Sequence, residues 1–307
     1  MTIRIGLVGF GKIARDEHLP AILADPRYRL VAVATRSEDP GIGVPCFGDF
    51  SEMIAALPGE LDAVALCTPP DVRTALARTA IVAGIAALLE KPPATTLGEV
   101  AEIERLARET GTPVYAAWHS QHAAGVADAV KALAGQDIAS LQIVWREDVR
   151  RWHPGQQWIW QAGGFGVFDT GINALSIASR ILPGSLLVRE ARLMVPANRQ
   201  APIAADMVFS EESLRAEFDW RPHKEEERTI TVQTAAGRIV ELSEGGHRLT
   251  IDGVEQPRLR AQEYPSIYDR FSEVVREQQI DVDAEPLRIC ADAFLCGSRE
   301  AVEAFIE

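Results

Sequence analysis

Short apolar runs alternate with longer amphipathic stretches in the first 120 residues of the chain. The apolar runs cover residues 3–8, 30–34, 63–67, 86–89 and 113–117, a length typical of buried strands. Between them, stretches such as 71–83 and 97–110 carry apolar residues at helical spacing. This βαβ rhythm predicts a parallel sheet covered by helices.

A different pattern follows residue 140. Apolar and polar residues alternate in 140–145, 215–220, 229–232 and 238–242, which predicts an open, mostly antiparallel sheet with one face on helices. Residues 264–277 and 286–305 have helical periodicity, and we expect the second of these helices to pack back on the first domain. The pattern predicts an α/β protein with domains at 1–120 and 121–307, the second of α+β type.

Composition narrows the possible functions. A chain of 307 residues with a net charge of −13 has the size of two domains and suits neither nucleic acid nor an anionic membrane surface. No apolar run is long enough to span a membrane, and the amino terminus lacks signal-peptide features, so we expect a cytoplasmic protein. Cys46, Cys67, Cys290 and Cys296 lack metal-site spacing, which favours buried reduced thiols over a disulfide framework, with no metal site.

The first apolar run ends in closely spaced glycines. Gly9-Phe10-Gly11-Lys12-Ile13-Ala14 fits the G-x-G-x-x-A fingerprint of dinucleotide-binding turns. In that motif the glycines permit a tight turn and a close backbone approach to a pyrophosphate, while the following helix presents its N–H groups. A plain tight turn is the alternative. The βαβ context favours cofactor binding by residues 9–13 in a Rossmann domain.

The end of the second apolar run bears on the choice of cofactor. An acidic residue there would bond the ribose hydroxyls of NAD, but the run ends in Thr35-Arg36-Ser37 and the first acid is Glu38. Arg36 can pair with a 2′-phosphate while Thr35 and Ser37 donate hydroxyl bonds. NADP is therefore the preferred cofactor and NAD the second, unless Arg36 is an ordinary exposed loop residue.

Two more strand ends carry short motifs, Thr68-Pro69-Pro70 and Glu90-Lys91-Pro92. Together with the glycine turn they resemble the Gfo/Idh/MocA oxidoreductase family, whose members dehydrogenate or reduce sugars and cyclitols, and the resemblance extends over the whole chain. It implies that Thr68, Pro69, Glu90 and Lys91 line the cofactor. It also implies that Lys91 contacts the hydroxyl being oxidised and stabilises developing alkoxide charge.

Polar and aromatic residues that suit a sugar follow the later strands. His119 lies at a strand end, where a hydroxyl contact competes with the role of a core histidine. The stretch 147–160 combines indoles, charges and turn formers, and we single out Glu147, Trp152 and His153. Aromatic faces cover the apolar side of sugars while polar groups bond the hydroxyls. A surface loop is the alternative, and the acidic charge disfavours nucleic-acid stacking.

The last candidate residues are Asp169 and Asn173, which share a face if residues 168–173 are helical. Family members commonly carry D-x-x-x-H here, with the histidine as proton carrier. An amide cannot exchange protons near neutral pH, so the base is Asp169 or Lys91. We favour Asp169, with Asn173 orienting the substrate. A helix N-cap is the other use of such an aspartate.

Within the family, residues 145–173 resemble members that oxidise aldoses at C1, L-arabinose and D-galactose among them. The resemblance therefore implies an NAD(P)-dependent sugar 1-dehydrogenase that produces an aldonolactone. The alternatives are another sugar or cyclitol dehydrogenase of the family, or a nonenzymatic dinucleotide-binding regulator. The resemblance also implies a homo-oligomer, a dimer or larger, formed through the second sheet.

Overall fold

The computed structural model describes residues 2–37, 39–258 and 262–306. Glu38, the first acid after the second strand, lies outside the described residues. The chain divides into two compact units. The first comprises Met1–His119 with Tyr264–Ala284, and the second comprises Ser120–Glu263 with Glu285–Glu307.

The strands, numbered along the chain, are β1 (Ile3–Val8), β2 (Tyr28–Ala34), β3 (Cys46–Phe47), β4 (Ala63–Leu66), β5 (Ala86–Leu89), β6 (Val114–Ala116), β7 (Ile138–Arg146), β8 (Val188–Pro196), β9 (Ala204–Phe209), β10 (Leu214–Asp219), β11 (Glu227–Thr234), β12 (Ile239–Ser243), β13 (Arg248–Ile251), β14 (Val254–Glu255), β15 (Ile280–Asp281) and β16 (Ser298–Val302). The α-helices are α1 (Leu19–Ala24), α2 (Phe50–Ala56), α3 (Pro70–Val82), α4 (Leu97–Thr110), α5 (Val126–Leu133), α6 (Val149–Trp152), α7 (Phe168–Ile181), α8 (Glu263–Glu277) and α9 (Glu285–Cys296). A π-helical turn, Ala14–His18, precedes α1.

The first unit is built on a parallel sheet. Within the described ranges its seven strands have the order β15-β6-β5-β4-β1-β2-β3, and every neighbouring pair is parallel. Strands β4 and β5 are buried along their whole length, as expected when helices cover both faces of a sheet. The predicted Rossmann fold of this part of the chain is confirmed.

Helix α8 belongs to this first unit although it lies far along the chain. Its buried residues recur every three or four positions, so they form one stripe. Five of them, Tyr264, Ile267, Tyr268, Phe271 and Val274, join the apolar core that contains Ile5 and Leu7 of β1. Its C-terminal end leads into β15, which pairs with β6 at the edge of the sheet.

The second unit contains a mixed open sheet. Among the described residues its nine strands have the order β14-β13-β12-β11-β7-β10-β9-β8-β16, and most neighbouring pairs are antiparallel. Leu141, Ile143 and Trp145 of β7 are buried while the residues between them are more exposed. The predicted open, mostly antiparallel sheet is confirmed. The homo-oligomer expected to form through it stays a prediction.

The C-terminal segment differs from its predicted form. The segment grouped with the first unit is Tyr264–Ala284, whereas α9 is grouped with the second. There the rings of Phe294 of α9 and Phe168 of α7 lie 5.4 Å apart. The helix predicted for 286–305 ends at Cys296, and Gly297 lies so close to the Ala293 carbonyl that a Cβ there would collide with it. Residues beyond it pair with β8 as strand β16.

The cysteines and the helices bear on two further expectations. Cys46 and Cys67 are half-buried, Cys290 is buried and Cys296 is exposed, and all are free of disulfide bonds. The prediction of buried thiols is therefore wrong for Cys296, which lies at the exposed end of α9. None of the helices in the described ranges is long and apolar enough to cross a membrane.

A glycine in α7 provides a test of packing in the second unit. A Cβ on Gly171 would lie 2.8 Å from the ring of Phe218, which is fully buried. We expect Gly171→Ala to lower the free energy of unfolding by about 1–3 kcal/mol, because overpacking outweighs the better helix propensity of alanine. Chemical denaturation measures the change.

The matched control is Gly98→Ala in α4, where the new Cβ would have only Thr96 Oγ1 nearby, at 3.9 Å. This variant should be as stable as the parent protein or slightly more so. Equal stability of the two variants would show that the Phe218 ring shifts with no loss of unfolding free energy.

Candidate active site

The carboxyl ends of five parallel strands meet at one edge of the first sheet. Ala34, Val8, Leu66, Leu89 and Ala116 are register partners in neighbouring strands. The residues that follow each of them therefore gather at the same edge, which is where ligands bind in doubly wound sheets. This edge brings together the predicted cofactor residues, namely 9–13, 35–37, 68–69 and 90–91, and leads to His119.

The glycine turn fits a dinucleotide. Gly9 has a φ of +84°, and a Cβ there would lie 2.9 Å from the Thr68 side chain, so the position requires glycine. Gly11 faces open space, because a Cβ at this position would have no neighbouring atom within 4 Å. Thr68 Oγ1 is buried without a hydrogen-bond partner among the described residues. A narrow turn, an open backbone and an unsatisfied hydroxyl are features that a bound pyrophosphate or ribose would use.

The other residues of the turn have different surroundings. Phe10 is buried, and the Arg15 guanidinium lies 5.6 Å from the centre of its ring. Lys12 is exposed and forms an ion pair with Asp16, four residues further on. Ile13 is partly exposed, although it is apolar. Phe10 therefore anchors the turn, while Lys12 and Ile13 lie on its outer side.

The end of β2 presents two exposed polar side chains. Thr35 is buried, and its hydroxyl oxygen accepts a hydrogen bond from the Ser37 backbone N–H at 3.2 Å. That bond shapes the turn, while the side chains of Arg36 and Ser37 remain exposed. The geometry leaves the Arg36 guanidinium in solvent at the cofactor edge.

A buried arginine that sequence reasoning missed fixes two loops of this edge. Arg73 of α3 is only 3 % exposed and donates to the Glu90 carbonyl at 2.6 Å. It also donates to the carbonyls of Pro92 and Thr68. One guanidinium thus joins the loops after β4 and β5. In the loop after β4, Pro69 serves as the N-cap of α3.

Glu90 lies at the centre of a buried polar network in the first unit. Its Oε1 is 2.9 Å from His18 Nε2 and accepts a bond from the Tyr264 hydroxyl at 2.7 Å. Its Oε2 accepts the backbone N–H of Lys91 at 2.9 Å. The second ring nitrogen of His18 lies 2.8 Å from the Tyr268 hydroxyl. Glu90 therefore supports the backbone that carries Lys91.

Burial and pairing oppose each other in this network. Burial favours uncharged forms, yet the His18 contact lowers the pKa of Glu90 to about 2. The Cys67 and Glu90 side chains overcome burial of the His18 ring and raise its pKa to about 10. These opposite shifts favour a charged imidazolium–carboxylate pair at neutral pH.

His119 lies beside this network. It opens a short 3₁₀ turn, His119–His122, and its ring stacks on Tyr264 with centroids 6.0 Å apart. Tyr264 in turn bonds Glu90. The structure therefore places His119 at the same strand-end edge as Lys91, as the sequence predicted for the strand end.

Asp169 and His153 meet in the second unit. Asp169 lies in the first turn of α7 and is 5 % exposed. Its Oδ2 is 3.4 Å from Nε2 of His153, which follows α6. The His153 ring packs on Trp220 with centroids 5.3 Å apart, and Trp220 Nε1 donates to the Thr170 hydroxyl at 2.8 Å.

An ion pair with a buried carboxylate follows β7 in the same unit. Glu147, directly after β7, is buried and 3.5 Å from Arg228 of β11. Burial raises the pKa of the Glu147 carboxyl, and Arg228 offsets this only in part. The same guanidinium lies 5.8 Å from the ring centre of Trp152, which is 43 % exposed. Arg228 therefore links two of the predicted sugar-binding residues.

Asn173 lies one turn beyond Asp169 on α7 and is partly buried. Its backbone carbonyl accepts the Ser176 hydroxyl at 2.7 Å. Asp169 is not the N-cap of this helix, a position that Val167 holds. The cap alternative for Asp169 is therefore wrong.

Sequence reasoning missed several residues that shape the two clusters. They include His18, Arg73, Tyr264, Trp220 and Arg228. Arg228 had a usable signal, because it lies on the same face of β11 as the buried Ile230 and Val232. The others had none, since their partners are remote in sequence.

The parallel sheet with its glycine turn has the architecture of a dinucleotide-binding domain. The comparisons agree. Residues 3–117 match the model of the "Oxidoreductase family, NAD-binding Rossmann fold", GFO_IDH_MocA. The chain belongs to this Gfo/Idh/MocA family of NAD(P)-dependent oxidoreductases.

Two relatives resemble the chain over its full length. Galactose 1-dehydrogenase of Pseudomonas fluorescens is 46% identical over 310 residues, which cover 99% of each chain. The crystal structure of a D-galactose-1-dehydrogenase protein from Rhizobium etli is 48% identical, with a TM-score of 0.93 and coverage of 99% of this chain and 98% of the other.

A more distant structure shares the fold alone. KijD10, a 3-ketoreductase from Actinomadura kijaniata solved with NADP and TDP-benzene, has a TM-score of 0.82 at 19% identity. The match covers 98% of this chain and all of the other.

The His18–Glu90 pair predicts a pH-dependent stability. A histidine whose pKa rises on folding contributes stability that is complete below its ordinary value of 6.5 and is lost as pH rises through about 10. The parent protein should therefore lose unfolding free energy across this range more steeply than His18→Gln, which has no ring to titrate. Urea denaturation at a series of pH values measures both curves.

At acid pH the unfolding free energy changes with pH in the opposite direction. The lowered pKa of Glu90 contributes stability that is present above 4.5 and is lost as pH falls through about 2.

The control for His18→Gln is His247→Gln, at a partly exposed histidine. Parallel alkaline curves for the parent protein and His18→Gln would contradict a charged His18.

Proposed function

We propose that this protein is an NAD(P)-dependent sugar 1-dehydrogenase that oxidises D-galactose, and also L-arabinose, at the anomeric carbon to the aldonolactone. The observation that carries the proposal is the 46% identity, over the whole chain, to a galactose 1-dehydrogenase. D-galactose and L-arabinose share their ring stereochemistry and differ by one hydroxymethyl group. A pocket that accepts the larger sugar discriminates only modestly against the smaller one.

In the proposed reaction Asp169 takes the proton of the C1 hydroxyl. Burial of its carboxylate at the start of α7 supports this role, because a protected base keeps its proton from exchanging freely with water. Lys91 stabilises the developing alkoxide as a fixed cation. An oxidised nicotinamide bound at the strand-end edge would supply the hydride acceptor for C1.

Other candidates recognise the sugar. Glu147 is a hydrogen-bonding group held in place by Arg228, while the half-exposed indole of Trp152 offers an apolar face. Asn173 and His119 supply further polar groups for hydroxyls. Buried polar groups of this kind discriminate strongly, because the wrong sugar leaves them unpaired.

NADP is the proposed preferred cofactor, with NAD accepted. The support is the exposed Arg36 side chain at the end of β2, beside the hydroxyl of Ser37. A guanidinium in this position pairs bidentately with a 2′-phosphate.

Galactose oxidation is the direct test. We expect purified protein to reduce NADP with D-galactose and with L-arabinose, and Asp169→Asn to lower kcat by about 10²–10⁴-fold, the usual contribution of a general base. Reduced-nicotinamide absorbance measures the rates.

The matched control is Asp128→Asn on α5, where the carboxylate pairs with the exposed Lys131 side chain. It should keep the parent rate. If neither sugar is oxidised with NADP or NAD, the substrate assignment is wrong. Full turnover in Asp169→Asn would move the base to Lys91.

Cofactor choice has its own test. Arg36→Ala should weaken NADP binding by about tenfold or more, the value of a charge-assisted hydrogen bond, and leave NAD binding nearly unchanged. Isothermal titration of each dinucleotide gives the Kd. Arg29→Ala, an exposed arginine near the opposite end of β2, is the control. Equal losses for NADP and NAD would show that Arg36 is an ordinary loop residue.

A further inference from the structure

Asp169 has no titratable neighbour within its own stretch of helix. Asn173 occupies the position one turn further on, and an amide does not carry protons. The other ionisable residue of α7, Arg180, lies in its last turn. A proton taken up by Asp169 must therefore leave through another element.

His153 supplies that neighbour from outside the helix. Its backbone N–H donates to the Val149 carbonyl at 2.8 Å, which ends α6, and its Nε2 lies 3.4 Å from Asp169 Oδ2. The Trp220 indole packs on the ring and also anchors Thr170, the residue after Asp169. The Trp220 side chain therefore positions both the His153 ring and the residue that follows Asp169.

The second ring nitrogen defines which atom faces the carboxylate. His153 Nδ1 lies 3.4 Å from the side-chain oxygen of Gln156. An amide oxygen only accepts hydrogen bonds, so this contact favours the tautomer with the proton on Nδ1. Nε2 is then the nitrogen that exchanges a proton with Asp169. The His153 side chain is 16% exposed and that of Asp169 only 6%, so the imidazole is the better route to solvent.

We propose that His153 is the proton outlet of Asp169. The inference rests on the proposed sugar oxidation. As the C1–H bond breaks and its electron pair leaves as hydride, the C1 hydroxyl proton moves to Asp169. It then passes to His153 Nε2, and the resulting imidazolium releases a proton to water. His153 acts through Asp169 and takes over the task that a histidine on α7 would perform.

Other charged side chains of the second unit form pairs of their own. Glu147 pairs with Arg228, and a second cluster at the end of β10 contains Asp219, Arg221 and His223. His223 Nε2 is 3.5 Å from Asp219 Oδ2, nearly the same geometry as in the proposed relay. This second pair provides a matched control in the same unit.

The first test is chemical rescue. His153→Ala should lower kcat for D-galactose by about tenfold or more while KM changes little, and added imidazole should restore kcat in a concentration-dependent manner. The acid limb of the kcat profile should also move, because the ring must be neutral to accept the proton. His223→Ala should retain kcat, its pH profile and its indifference to imidazole.

A raised KM with unchanged kcat would overturn the relay and make His153 a sugar-binding residue. A loss of kcat that imidazole does not repair would also overturn it and leave His153 a packing role.

The second test needs neither cofactor nor turnover. In protein with isotope-labelled histidine, the midpoint of the His153 ring titration followed by NMR should fall by about one pH unit in Asp169→Asn, because the ring loses an opposite charge. Asp219→Asn should move the His223 signal instead. An unchanged His153 midpoint would refute the coupling. If the parent protein oxidises no sugar but the midpoint falls, the proposed function fails while the coupled pair stands.

Discussion

The first unit depends on a carboxylate that is buried and still charged. Glu90 at the end of β5 is bonded by His18, by Tyr264 and by the Lys91 backbone. A buried charge that loses a partner costs several kcal/mol, so these three groups must all be in place at once. The amino-terminal helical turn, the loop after β5 and α8 are thereby fixed around one side chain. The loop that presents Lys91 is held by the same bonds.

The sequence predicted well that several motifs meet at one edge of the first sheet, because that edge follows from local rules. Parallel strands end at one side of their sheet, so the motifs after Val8, Ala34, Leu66 and Leu89 had to gather there. The sequence could not predict that α8 packs in the core of the first unit. The stripe that includes Tyr264 and Phe271 shows that the helix has an apolar face, but no local pattern says which of two cores that face enters. The same limit hid Arg73, whose acceptors are backbone carbonyls.

In the second unit residue type was a better guide than secondary structure. The mixture of indoles and charges in 147–160 singled out Glu147, Trp152 and His153. The structure links Glu147 and Trp152 through Arg228 and places His153 beside Asp169. The helical period of 286–305 was misleading at its end. Apolar positions continue at helical spacing, but Gly297 packs against the helix it follows, and the chain gains more by pairing with β8. Sheet pairing is a long-range term that periodicity does not contain.

The chain uses the same two residue types, a histidine and a carboxylate, in two physically different ways. His18 and Glu90 are 2.9 Å apart and almost fully buried, and each is also bonded by a tyrosine hydroxyl. Such a pair keeps both of its charges, because losing either one would leave the other unpaired in a dry interior. His153 and Asp169 are 3.4 Å apart, and the ring retains some exposure. A longer contact with a path to water stabilises little, so the first pair serves the fold, while the second is the pair through which we propose that a proton leaves Asp169.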